Sequence, residues 1–175
     1  MRPRSYTVPL AALGTTLFFL VAAIVVVVAG RAGAGAGAPC IVGTWNVVRH
    51  EEKVPLDFGP GSVTIVGGKG ATLSLRADGT GESDYGTGTE YLGAVGTQAV
   101  RLVVSGRITF DYTANDGSAR LTDIDVQAKA QAFVDGVAAG AAEDLEPVGA
   151  ATFTCSGDAL TEVSGAARIT YERAG

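Results

Sequence analysis

Beyond residue 40, apolar and polar positions alternate with a period of two. In Arg107-Ile108-Thr109-Phe110-Asp111-Tyr112-Thr113, one face carries Ile108, Phe110 and Tyr112, and the other Arg107, Thr109, Asp111 and Thr113. That alternation predicts a half-buried strand. Leu73 and Leu75 alternate in the same way, as do Val100, Leu102 and Val104. From Ile124 a longer pattern runs through Val126, Ala128, Ala130, Ala132 and Val134, opposed by Asp125, Gln127, Lys129 and Gln131. Alanine is a good helix former, but strict alternation between β-branched residues favours one long strand with a small-residue face. Leu121 is out of phase with Ile124, which predicts a bulge near Thr122.

Turn signals punctuate these runs: Asp78-Gly79, Asn115-Asp116-Gly117 and Ser156-Gly157-Asp158. Such pairs supply the positive φ angles of tight hairpins. From Gly43 to the final run Ala167–Arg173 the pattern predicts eight to ten strands, short connections and no helix. An all-β, antiparallel barrel or sandwich follows, because successive hairpin-linked strands close most simply that way. Glu51–Gly61 and Asp135–Gly149 read as surface loops.

The N-terminal part is different. No charge occurs from Leu10 to Gly30, Arg2 and Arg4 precede this apolar run, and Arg31 ends it. A basic start, an apolar stretch and the small residues Ala34, Ala36 and Ala38 form an export pattern. The run is also near the ~20 residues that span a bilayer as a helix. Residues 1–38 are therefore expected to be a signal peptide or a membrane anchor with a Gly/Ala linker, ahead of a domain at 39–175. In either case the positive flank holds the N-terminus inside and sends the remainder out. The expected location is extracellular or cell-surface, and membrane-anchored if the leader stays.

Removing Arg2, Arg4 and Arg31 leaves ten basic residues (13 − 3) against 18 acidic ones, a net charge of −8. This balance argues against binding nucleic acid or an anionic membrane surface, which need a basic patch. Membrane contact is expected only through the N-terminal segment. The two cysteines, Cys40 and Cys155, both lie beyond the leader. In an oxidising compartment a disulfide is expected, the alternative being two buried thiols.

Cys40-Ile41-Val42-Gly43-Thr44-Trp45 opens the domain with Gly-x-Trp on a first strand, and Tyr171-Glu172-Arg173 ends it. With Arg76-Ala77-Asp78-Gly79-Thr80-Gly81 and Thr154-Cys155-Ser156-Gly157-Asp158 between them, residues 40–173 resemble the small exported lipocalin-like proteins of actinobacteria. The resemblance implies a lipocalin-like barrel whose end is closed by Gly43 and Trp45, with Arg173 of the last strand packed on the tryptophan. It also implies a carrier or sensor of a small apolar molecule. In departure from the family pattern, no helix is expected after the barrel.

Chemistry-bearing candidates are few. His50, the only histidine, sits beside Glu51 and Glu52 and reads as a solvated strand end. Gly67-Gly68-Lys69-Gly70 lacks the spacing of a phosphate loop and reads as a hairpin connection. Asp123 and Asp125, with Asp84 or Asp111, lack the ligand spacing of a calcium loop. No catalytic set, metal or cofactor is expected. Two function classes remain ahead of an enzyme or inhibitor. One is a non-covalent binder of a small apolar molecule, with space left over the face of Ala128, Ala130 and Ala132. The other is a cell-surface structural or interaction module with a filled barrel, using the two expected loops as contacts.

Overall fold

The computed structural model describes residues 40–55, 62–115 and 117–175. The expected leader at 1–38 lies outside the described residues. The described chain is all β, with fourteen strands and no helix. They are β1 (Gly43–Pro55), β2 (Ser62–Gly67), β3 (Thr72–Leu75), β4 (Thr80–Asp84), β5 (Thr89–Val95), β6 (Gln98–Ser105) and β7 (Arg107–Asn115). There follow β8 (Ser118–Val126), β9 (Lys129–Val134), β10 (Val137–Ala138), β11 (Glu143–Asp144), β12 (Ala150–Ser156), β13 (Ala159–Ser164) and β14 (Ala167–Arg173).

The count exceeds the expected eight to ten because long strands change partner at corners. β1 pairs through Gly43–Asn46 with β3, and through His50–Pro55 with β2. β2 and β3 are thus successive pieces of one bent strand, and β4 with β5, β6 with β7 and β8 with β9 behave alike. With the bent pieces joined, eight antiparallel strands follow one another up and down, and β14 returns to pair with β1. On the first half of the molecule the ring β1-β14-β13-β12-β8-β7-β4-β3 closes completely. This closure removes sheet edges, the part of a β-protein most exposed to mispairing. On the other half β2, β5, β6 and β9 continue the wall, and β10 and β11 cover opposite ends of β9.

Alternation is obeyed within the pieces. Ile108, Phe110 and Tyr112 are buried while Arg107, Asp111 and Thr113 are exposed. The phase break between Leu121 and Ile124 is a bulge: Thr109 pairs with Asp125 but Asp111 with Thr122, and Asp123 takes φ 49°. The turns at Gly79 and Gly157 have φ 88° and 59°.

Four expectations are corrected. Glu51–Pro55 is not loop but the second half of β1; only 56–61 of that stretch lie outside the described residues. Asp135–Gly149 is largely irregular but contains β10 and β11. Gly67–Gly70 is a corner between β2 and β3, not a hairpin, since both strands lie on the same side of β1. The alanine face is not one strand: β8 ends at Val126 and β9 starts at Lys129, where the partner changes from β7 to β6. Ala128 and Ala130 are also closed over, at 0% and 2% exposure, so no space remains above them.

The interior has two apolar clusters. The larger one fills the closed half with Trp45, Leu73, Leu75, Phe110, Leu160 and Tyr171 among its members. The smaller one lies under β2, β5, β6 and β9 with Val63, Ile65, Tyr91, Val104 and Ala130. Tyr85 and Leu145 touch both.

Candidate binding site inside the barrel

One end of the closed half is sealed by the segment before β1. Cys40 is bonded to Cys155 of β12, with the Cα atoms 6.2 Å apart. Ile41 is buried, and its carbonyl accepts a hydrogen bond of 2.7 Å from Trp45 Nε1. The indole is fully buried, and the Arg173 guanidinium carbon lies 4.2 Å from its ring centroid. The register makes this stack local, since Trp45 and Arg173 are directly opposite in β1 and β14. Arg173 also donates to the Val42 carbonyl at 3.2 Å and the Cys40 carbonyl at 3.3 Å. The guanidinium stands partly in solvent, so it covers the indole rather than entering the core. Gly43 is required beside it: its φ is +146°, and a Cβ there would collide with the guanidinium. The disulfide, the stack and the carbonyl contacts together tie the chain's first described residues to β12 and β14.

The other feature lies at the seam between the two apolar clusters. A shift in register between Val47 and Arg49 puts His50, Glu52 and Val54 on the inner face of β1. His50 is therefore a mid-strand residue facing inward, and the solvated strand end expected for it is corrected. Its ring meets Tyr91 edge-on at 5.1 Å between centroids, and its Nε2 lies 3.3 Å from Glu52 Oε2. Gly68 at the β2–β3 corner permits this approach: φ is +88°, and a Cβ would press on His50 and Val47 at 2.9 Å. Across the barrel wall, Glu162 of β13 shares its face with the fully buried Leu160. Both His50 and Glu162 pair with Ile169 of β14, so they stand at one level, two strands apart. Tyr171 donates its hydroxyl to Glu162 Oε2 at 2.6 Å.

Burial sets the electrostatics here. It pushes the Glu162 carboxyl above its ordinary value, against the Tyr171 hydrogen bond and the His50 imidazole, which both favour ionisation. Burial likewise raises Tyr85 to about 12, with the charges of Glu162 and Glu52 adding to it. Tyr91 and Tyr171 are raised as well, first by burial. Neither Tyr85 nor Tyr91 has a partner for its hydroxyl among the described residues, and no polar atom there is both sealed and unpartnered. The two phenols thus open onto space that water can reach.

Among the described residues no group of three His, Cys, Asp or Glu side chains is arranged to hold a metal. Asp123 and Asp125 are exposed, Asp125 accepts from Gln127, and Asp84 accepts from the Gly86 amide, so the aspartates are not gathered. A shallow outer depression lined by Val48, Arg49, Lys69 and Glu90 lies on the opposite face of the wall and is open to solvent.

The inward-facing cluster of Glu162, Tyr85, Tyr91, His50 and Glu52 was missed from the sequence. A signal existed in Glu162, which takes an inner place in the alternation begun by Leu160. The fold and site thus define a closed antiparallel β-barrel with a polar pole inside an apolar interior. No protein-family model, no curated protein and no solved structure matches the chain.

Proposed function

We propose that residues 39–175 form an exported, lipocalin-like binding domain that holds a small, largely apolar molecule non-covalently inside the barrel. The observation that carries the reading is the pair of inner phenols, Tyr85 and Tyr91, which have no hydroxyl partner among the described residues and open onto water-accessible space beside two apolar clusters. A few convergent polar groups set against apolar walls are what a small-molecule site needs. The Cys40–Cys155 bond fits an oxidising compartment, and the basic-then-apolar leader fits export.

The test is a melting-point screen of the protein against lipids, terpenoids and aromatic metabolites. A ligand at a hundredfold excess over its dissociation constant adds about 2.7 kcal/mol of stability, roughly 5–10 °C for a chain of this size. Substituting Tyr85→Phe should reduce that shift while leaving the unliganded melt near its original value. If no compound moves the melt, the binding reading falls and the surface-module reading replaces it.

A further inference from the structure

Resting on that reading, we infer that the interior pole recognises the protonated amine head of its ligand, with the apolar body lying against the two clusters. The geometry has four parts. Two carboxylates, Glu162 from β13 and Glu52 from β1, face inward at the seam. Three aromatic rings converge with them: Tyr171 bonds Glu162, Tyr91 meets the His50 ring, and Tyr85 bridges the clusters. Tyr85 is half-buried, and its hydroxyl, reachable by water, has no partner among the described residues. Last, among the described residues the His50 imidazole is the basic group acting on Glu162, and it also lies 3.3 Å from Glu52.

Charge and desolvation decide the class of ligand. Two carboxyl groups share one imidazole, so the pole lacks positive charge. An ammonium group supplies it and offers several N–H donors to acceptor oxygens. Aromatic faces attract the same cation through their quadrupoles, more strongly where water is thin. A carboxylate head meets the opposite situation, with like charges in a poorly solvated space. A neutral hydroxyl can bond a tyrosine or a carboxylate but gains neither charge term.

The test uses three probes with one tail: octylamine, octanol and octanoate, titrated into the full chain at neutral pH with the dissociation constants read by calorimetry. Octylamine is expected to bind at least tenfold more tightly than octanol, and octanoate most weakly. Glu162→Gln should weaken octylamine at least tenfold and leave octanol unchanged. Should that variant fail to fold, Glu52→Gln, at a partly exposed position, makes the same comparison. If octanol or octanoate binds as well as octylamine, the cation inference is overturned while the barrel remains a binding domain. Unchanged octylamine affinity in a folded variant overturns it also. If none of the three binds, the inference is overturned, and the ligand screen decides separately whether the barrel binds anything.

Discussion

Replacing Trp45 and Arg173, singly and together, tests how the barrel end is closed. The indole is fully buried, and truncating such a ring to alanine costs about 3–5 kcal/mol. The substitution also strips the Ile41 carbonyl of its 2.7 Å donor, which places Trp45→Ala toward the upper part of that range. Arg173 is partly in solvent, so its stack on the indole is worth roughly 0.5–1 kcal/mol. Its contacts to the Val42 and Cys40 carbonyls, at 3.2 and 3.3 Å, add about 0.5–1 kcal/mol together after the same solvent discount. Its ion pair with Asp158, at 3.7 Å and largely exposed, adds little. Arg173→Ala should therefore cost about 1–2 kcal/mol, several times a typical surface change. With Trp45 already removed, the stacking part has nothing left to lose. The double variant should be less damaged than the sum by roughly 0.5–1 kcal/mol. Urea unfolding of the four proteins, at a common slope, measures this coupling. Additivity within about 0.3 kcal/mol would refute the stack as an energetic contact.

Two further outcomes follow from the bridge and from the buried phenols. Cys40→Ser or Cys155→Ser should lower stability by about 4–5 kcal/mol in the chain-entropy account, since the bond joins residues 115 positions apart; two titratable thiols in the folded, unreduced protein would contradict the bridge. Tyr85, Tyr91 and Tyr171 all have raised values in the folded state, so the unfolded chain loses these protons first, near pH 10. Their contribution is complete below pH 10 and is lost as the pH rises through about 12, the value for Tyr85. The urea midpoint should fall across that window and fall less steeply in Tyr85→Phe; a flat profile would count against enclosure of the phenols.

Much of the fold was legible because a barrel wall writes itself as period two. Ile108, Phe110 and Tyr112 are inner residues as their alternation demands, and the break between Leu121 and Ile124 located the bulge at Asp123. The corners were not legible. Val126, Ala128 and Ala130 keep alternating straight through the change of partner from β7 to β6, so local pattern contains no trace of it. The second half of β1 was hidden for a different reason. Its inner positions are His50 and Glu52, and a strand with polar residues facing in and Glu51 and Lys53 facing out looks like a charged loop. The polar pole was hidden further, because it is assembled from β1, β5, β13, β14 and the β4–β5 connection, which only the closure of the sheet brings together.

The same polar residues that obscured β1 belong to the proposed binding pole. The closed half is filled by Trp45, Leu160 and their neighbours and is latched by a disulfide, so it has the means of its own stability. Putting a carboxyl group on the inner face next to Leu160 works against that stability, because a leucine-like residue there would extend the apolar face with no desolvation cost. Tyr85 adds a hydroxyl in a place where phenylalanine would pack equally well and need no partner. Glu162, Glu52 and His50 are local choices that conflict with a well-packed core, and they gather at this one seam. Such concentration is the expected trace of a site rather than of loose packing. Its position follows from the corners. Where β2 gives way to β3, and β4 to β5, the inner surface of the wall turns, and Gly68 lets the backbone lie against His50. The bend that frustrated the reading of single strands is therefore also what brings side chains from five parts of the chain to one pole.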